Sequence, residues 1–161
     1  MWNKNNKKQY LGCINDLIKT PCVCSMKNIP QHVNVNCLNH SIYVSYISFL
    51  ISRSLGLDYV ASARGGLLHD LFLYDWRKEN KRKKTHLFSH PAVALNNASA
   101  MFDLTEKEKD IIATHMWPLT VKLPKYKESF IVSCADKFCA LMELLFLYNI
   151  LKIDTKLEFL F

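Results

Sequence analysis

The sequence is poor in the residues that turn and staple a chain. Only 4 of its 161 residues are Gly and 5 are Pro, too few for an all-β protein that must turn roughly every ten residues. Long hydrophobic runs are also missing. The longest apolar stretch, residues 42–57, is interrupted by Ser45, Ser48, Ser52, Arg53 and Ser54, which describes a buried helix rather than a membrane span. The opening Met1-Trp2-Asn3-Lys4-Asn5-Asn6-Lys7-Lys8 lacks the apolar core of a secretory leader. There is no C-x-x-C pair; Cys22 and Cys24 stand as C-x-C, and Cys13, Cys37, Cys134 and Cys139 sit in apolar helical patterns. Thiols so placed behave as small hydrophobes, and the expectation is a reduced, cytoplasmic protein whose cysteines are core filler.

What is present is an ordinary globular balance, with 50% apolar and 22% charged residues, which excludes a disordered or collagen-like chain. Acidic residues are outnumbered 14 to 21, for a net charge of +7. Six of the cations fall in the eight residues 77–84, and Lys122, Lys125 and Lys127 form a second group. The first run reads as a solvated loop that can attract an anionic substrate. No aromatic side chain interleaves Lys81–Lys84, which argues against a nucleic-acid surface built on base stacking.

Periodicity predicts helices over about residues 7–19, 35–55, 58–72, 89–101, 105–117 and 128–148, with a connector at 21–32 and an apolar tail at 149–161. Gly56 suits the left-handed position after a helix. Asp58 and Ser89 read as N-caps, and Thr105 with Glu108 as a capping box. The last helix is expected to bury Ile131, Cys134, Ala135, Phe138, Leu141, Met142 and Leu145. The expected architecture is an all-α, single-domain bundle of about six to seven helices spanning 1–161, with its core at about 35–145.

Five histidines lie at or near these helices. His40, His69, His90 and His115, with Asp70 and Asp136, are each embedded in apolar residues. One such group alone is usually a satisfied core residue; six on successive helices are the materials of a metal site.

The order His40…His69-Asp70…Asp136 resembles the HD-domain superfamily of metal-dependent phosphohydrolases. Gly65-Gly66-Leu67-Leu68-His69-Asp70 is similar to its signature helix and Ala135-Asp136-Lys137 to its closing motif. The intervening His90 and His115 resemble the extra pair of the subset that binds two metals. The resemblance covers about residues 35–145. It implies that His40, His69, Asp70 and Asp136 hold one divalent ion. Asp70 would bridge to a second, completed by His90 and His115. Such a donor set suits Mn, Fe, Co, Ni, Zn or Mg. Two ions about 3.5–4 Å apart can hold a bridging hydroxide and clamp a phosphoryl group.

Asp70 and His69 are the principal catalytic candidates. His86 is a candidate proton donor or substrate contact, weighed against an exposed loop histidine. Lys137 is a candidate phosphate contact. Arg64, Arg77, Lys81, Arg82 and Trp117 are substrate candidates, with an ion pair competing for Arg64 and core packing for Trp117. Asp75 is a candidate to orient a ligand. After Asp70 the chain reads Leu71-Phe72-Leu73-Tyr74-Asp75. It lacks the Gly-Lys and Gly-Tyr-Pro of the cyclic-dinucleotide phosphodiesterases, which argues against their substrate. Similarity to the symmetrical dinucleoside-tetraphosphate hydrolases extends only to general plan. The expected function is hydrolysis of a small phosphorylated metabolite, foremost a nucleotide, without a membrane partner and compatible with a homo-oligomer. The alternative is a non-catalytic HD module that binds metal and nucleotide as a sensor or structural protein.

Overall fold

The computed structural model describes residues 3–32, 35–78 and 80–150. Among the described residues the fold is all-α apart from one small hairpin. In order, the elements are α1 (Lys4–Ile18), α2 (Pro21–Ser25), a 3-10 turn (Met26–Asn28), strands β1 (Pro30–His32) and β2 (Val35–Asn36), and α3 (Cys37–Ser54). Then come α4 (Tyr59–Leu68), α5 (Asn80–Met101), α6 (Glu106–Thr114), α7 (Lys127–Leu144) and α8 (Leu147–Ile150). No helix among the described residues is long and apolar enough to cross a membrane.

Caps set most boundaries. Asn3 and Asn36 accept from the backbone N–H three residues on, opening α1 and α3. Asp58 does the same for α4 through Ala61 N. Thr105 and Glu108 form a complete capping box on α6. Gly56 takes φ 67° after α3, where a side chain would be strained.

Helix α4 lies at the centre, packed on α3, α6, α1 and α7. Two glycines allow this. A Cβ on Gly66 would sit 2.9 Å from the Ser45 Cα of α3, and one on Gly65 would sit 2.7 Å from Ile111 Cγ2 of α6. The facing side of α3 is made of small hydroxyls: Ser41, Ser45, Ser48 and Ser52 are fully buried. Ser45 Oγ donates to Ala63 O at 2.6 Å and accepts from Tyr10 OH at 2.8 Å, and Ser52 pairs with Ser62 at 2.7 Å. Two of the serines that break the apolar run, Ser45 and Ser52, are thus contacts for α4. Leu67 and Leu68 are fully buried on that helix, each contributing about 1.5–3 kcal/mol of burial.

Several boundaries differ from the sequence reading. Helix α5 begins at Asn80 rather than at an N-cap on Ser89, and runs through Pro91. Proline removes the N–H that would bond Leu87 O; His90 Nδ1 donates to His86 O at 2.8 Å, pinning the turn before it. The backbone of residues 80–84 is therefore helix, not loop. Helix α4 stops at Leu68 rather than near residue 72, and α6 at Thr114 rather than before Pro118. In both, the next residue is a histidine in the cap position.

Helix α7 buries only part of the expected stripe, Ile131 and Ala135, with Met142 half-buried. Ile131, Val132, Ala135, Asp136, Cys139 and Glu143 face inward, while Cys134, Phe138, Leu141 and Leu145 are exposed. The inward stripe carries the polar groups of the site, so the most apolar stripe is the wrong guide to the core. All six cysteines are free, and the filler reading fits Cys13, Cys37 and Cys139; Cys22 and Cys24 are half-buried.

Candidate metal centre

Four histidines and two aspartates from α3, the C-terminal end of α4, α5, the C-terminal end of α6 and α7 meet in the interior. Their exposure ranges from 0% for His40 and His69 to 8% for Asp136. His40 Nε2 lies 3.1 Å from Asp136 Oδ1, and His69 Nε2 lies 3.4 Å from Asp70 Oδ2 and 3.7 Å from Asp136 Oδ1. Asp70 Oδ1 is 3.3 Å from His90 Nε2 and 3.6 Å from His115 Nε2. The ligand atoms fall into two overlapping groups, His40/His69/Asp136 and His69/Asp70/His115, each within 4.8 Å.

The other ring nitrogens fix the chemistry. Nδ1 of His69, His90 and His115 lies 2.7–2.8 Å from the carbonyl oxygens of Gly66, His86 and Ile112. A carbonyl can only accept, so each Nδ1 carries the proton. His40 Nδ1 lies 2.9 and 3.1 Å from the two Glu143 carboxylate oxygens. In the neutral rings all four Nε2 atoms then present lone pairs to the centre. They face carboxylate oxygens, which are also acceptors. His90 and His115 bring Nε2 to within 2.8 Å of each other.

His69 Nε2 and Asp70 Oδ1 are buried and make no hydrogen bond, although ionic partners lie 3.3–3.6 Å away. With the rings neutral, a cluster of acceptors facing acceptors is matched by a cation, and divalent ions fit the donor set. Without one, protons serve. Burial alone would lower the His69 pKa, but Asp70 and Asp136 outweigh it and raise it to about 9. Burial likewise opposes ionised Asp70 and is outweighed by His69, His90 and His115, which hold it well below the usual carboxylate range. His115, buried and beside His69 and His90, is pushed down to about 3.

A cavity of about 510 Å³ opens on this cluster. His86, Arg77 and Lys137 line it, as does the cluster's outer face. His86 belongs to α5 rather than to a loop; its Nδ1 is 3.0 Å from Tyr74 OH, and its ring stacks between Trp76 and His90. Burial, then the His90 ring, pushes His86 down to about 4, so the ring is uncharged near pH 7. Lys137 Nζ donates to His115 O, to Ser133 Oγ at 3.3 Å and to Asp136 Oδ2 at 3.3 Å.

Other candidates lie elsewhere. Arg64 is committed to Glu108 (2.6 Å) and Asp16 (2.7 Å) and does not line the cavity. Trp117 packs on Phe130 with centroids 5.4 Å apart, also outside the cavity lining. Asp75 accepts from Arg77 N at 3.0 Å and organises its own turn. Lys81 and Arg82 stand in the first turn of α5; their side chains lie outside the described residues.

Three participants escaped the sequence reading. Glu143 follows Asp136 by two helical turns, a spacing that places it on the same face. Gln31 comes from β1, and its Nε2 donates to Asp70 Oδ2 at 2.5 Å while Arg77 Nη2 donates to Gln31 O at 2.8 Å. Nothing in a short connector signalled this reach. Trp76, next to the basic run, lines the cavity and lies under the Arg77 guanidinium, 5.4 Å from its centroid.

No solved structure matches the chain. A family model described as HD domain matches residues 37–141, more than half of the 161. The span contains all six members of the buried cluster and leaves Gln31 and Glu143 outside it. Its matched length, its His-Asp pair at the end of a central helix and its closing aspartate on α7 establish that the chain belongs to the HD domain family.

Proposed function

We propose that the protein is a metal-dependent phosphohydrolase acting on a small phosphorylated metabolite, with two divalent ions held by its six buried ligands. One observation carries the reading: four imidazoles, each with Nδ1 bonded away from the centre, turn Nε2 toward two carboxylates. His40, His69 and Asp136 would hold one ion. Asp70 has Oδ2 toward His69 and Oδ1 toward His90 and His115, and with these two histidines it would hold a second. When bound, such ions supply Lewis acidity and a lowered pKa for water.

The chain's own residues supply the rest. Asp70 and His69 orient the reacting end, and Lys137 and Arg77 add positive charge at the cavity wall for the phosphoryl oxygens. The Gln31 amide fixes one Asp70 oxygen. Water attacks phosphorus, the phosphorus–oxygen ester bond breaks, and the alcohol leaves with a proton.

The test is turnover of a panel of phosphomonoesters and nucleotides by protein loaded with Mn²⁺ or Ni²⁺. Metal-dependent release of phosphate that is lost in Asp70→Ala, with the helical fold retained by circular dichroism, supports the reading. Tight nucleotide binding without turnover would assign the chain to the sensor-module alternative instead.

A further inference from the structure

The cavity over the buried cluster is lined by two kinds of residue. One kind is polar: the outer face of the His/Asp cluster with His86, Lys137, Arg77 and Gln31. The other is apolar: Leu87 from α5, Met116 and Leu119 from the segment after α6, and Ala140 and Leu144 from α7, with Trp76 alongside. Leu87, Leu119 and Leu144 are 45%, 56% and 53% exposed. Three leucines from three separate elements thus converge, partly in water, on the mouth of a highly charged site. Covering these leucines takes apolar surface out of water, so the mouth favours an apolar occupant. A polyhydroxylated ligand would find no hydrogen-bonding side chain on Leu87, Met116, Leu119, Ala140 or Leu144, and a buried hydroxyl left unpaired is costly.

Resting on the phosphohydrolase reading above, we propose that the substrate is a phosphate monoester of an apolar alcohol. Its phosphate would lie against the His/Asp cluster and its hydrocarbon body against Leu87, Leu119 and Leu144. Hydrolysis transfers the phosphoryl group to water, giving inorganic phosphate and the free apolar alcohol. A sugar phosphate is disfavoured by the same wall that favours the alkyl chain.

Hexyl phosphate and glycerol 3-phosphate make a matched pair, because both leave as primary alcohols and differ chiefly in polarity. With Mn²⁺-loaded protein, kcat/KM is expected to be at least tenfold higher for hexyl phosphate. Leu119→Asn/Leu144→Asn is expected to remove that advantage through KM, with metal content at the wild-type level. Equal kcat/KM for the two esters, or a preference that survives the double variant, overturns the proposal. Calorimetric binding of hexylphosphonate against 3,4-dihydroxybutylphosphonate reads the same preference without chemistry. If no phosphoester is hydrolysed, the phosphohydrolase reading fails, and a tenfold binding preference for hexylphosphonate still separates that failure from failure of the apolar subsite.

Discussion

Glu143 shows how much a single buried carboxylate can decide. It is 2% exposed, and both its oxygens lie within 3.1 Å of His40 Nδ1. That contact sets the tautomer of His40 and leaves Nε2 as a lone-pair donor beside Asp136. Removing the charge while keeping the shape, as in Glu143→Gln, should weaken divalent-ion binding about 10–100-fold. Titration calorimetry with Mn²⁺ measures it, with the urea midpoint as the control for folding. Unchanged affinity would reduce Glu143 to a packing residue. The six members of the buried cluster were legible in the sequence because each is a polar residue in an apolar setting and all belong to the ordered motif. Glu143 and Gln31 were not, since neither belongs to the ordered motif. Arg64 and Trp117 show the converse: both types suit a substrate, yet Arg64 answers Glu108 and Asp16, and Trp117 answers Phe130.

At the scale of elements, the glycines of α4 are the hinge between sequence and site. Their missing Cβ atoms let the helix sit between α3 and α6, so that His69 and Asp70 emerge among the other members of the buried cluster. Gly66→Ala places a methyl group 2.9 Å from backbone of α3 and should destabilise the fold by about 1–3 kcal/mol. Gly12, in the interior of α1 with nothing within 4 Å of its would-be Cβ, should do the opposite. Gly12→Ala should add about 0.5–1 kcal/mol through helix propensity alone. Urea denaturation of both variants checks the pair; destabilisation by Gly12→Ala or tolerance of Gly66→Ala would break the packing account. Capping residues made the starts of α4 and α6 readable. Their ends were shorter than periodicity suggested, because His69 and His115 return a ring N–H to the carbonyl three residues back and close each helix. On α7 the site itself hid the core face, since Asp136 and Glu143 make the buried stripe look polar. The β1–β2 hairpin, only 3 and 2 residues long, left too little pattern to see.

For the whole molecule, the interior gathers polar groups from α3, α4, α5, α6 and α7 around one centre. His69 Nε2 and Asp70 Oδ1 remain without hydrogen bonds at its centre. Divalent ions that bind only the folded chain should therefore stabilise it, by about 2.7 kcal/mol at a free concentration one hundred times Kd. A thermal scan with and without EDTA measures this, and a midpoint that ignores chelation would contradict it. The all-α architecture was readable as a whole, because few glycines and prolines and strong 3.6-residue periodicity leave little else. The basic run was only half readable: its charge is plain in the sequence, but its backbone from Asn80 belongs to α5, whose later turns carry His86 and His90 to the cavity.

The most direct test of the metal centre is stoichiometry, by equilibrium dialysis against Mn²⁺ followed by elemental analysis of wild type and His90→Ala/His115→Ala. The account predicts about two ions per chain in the wild type and about one in the double variant, retained by His40, His69, Asp70 and Asp136. No tight uptake by the wild type, or the same ion count in both proteins, would contradict it.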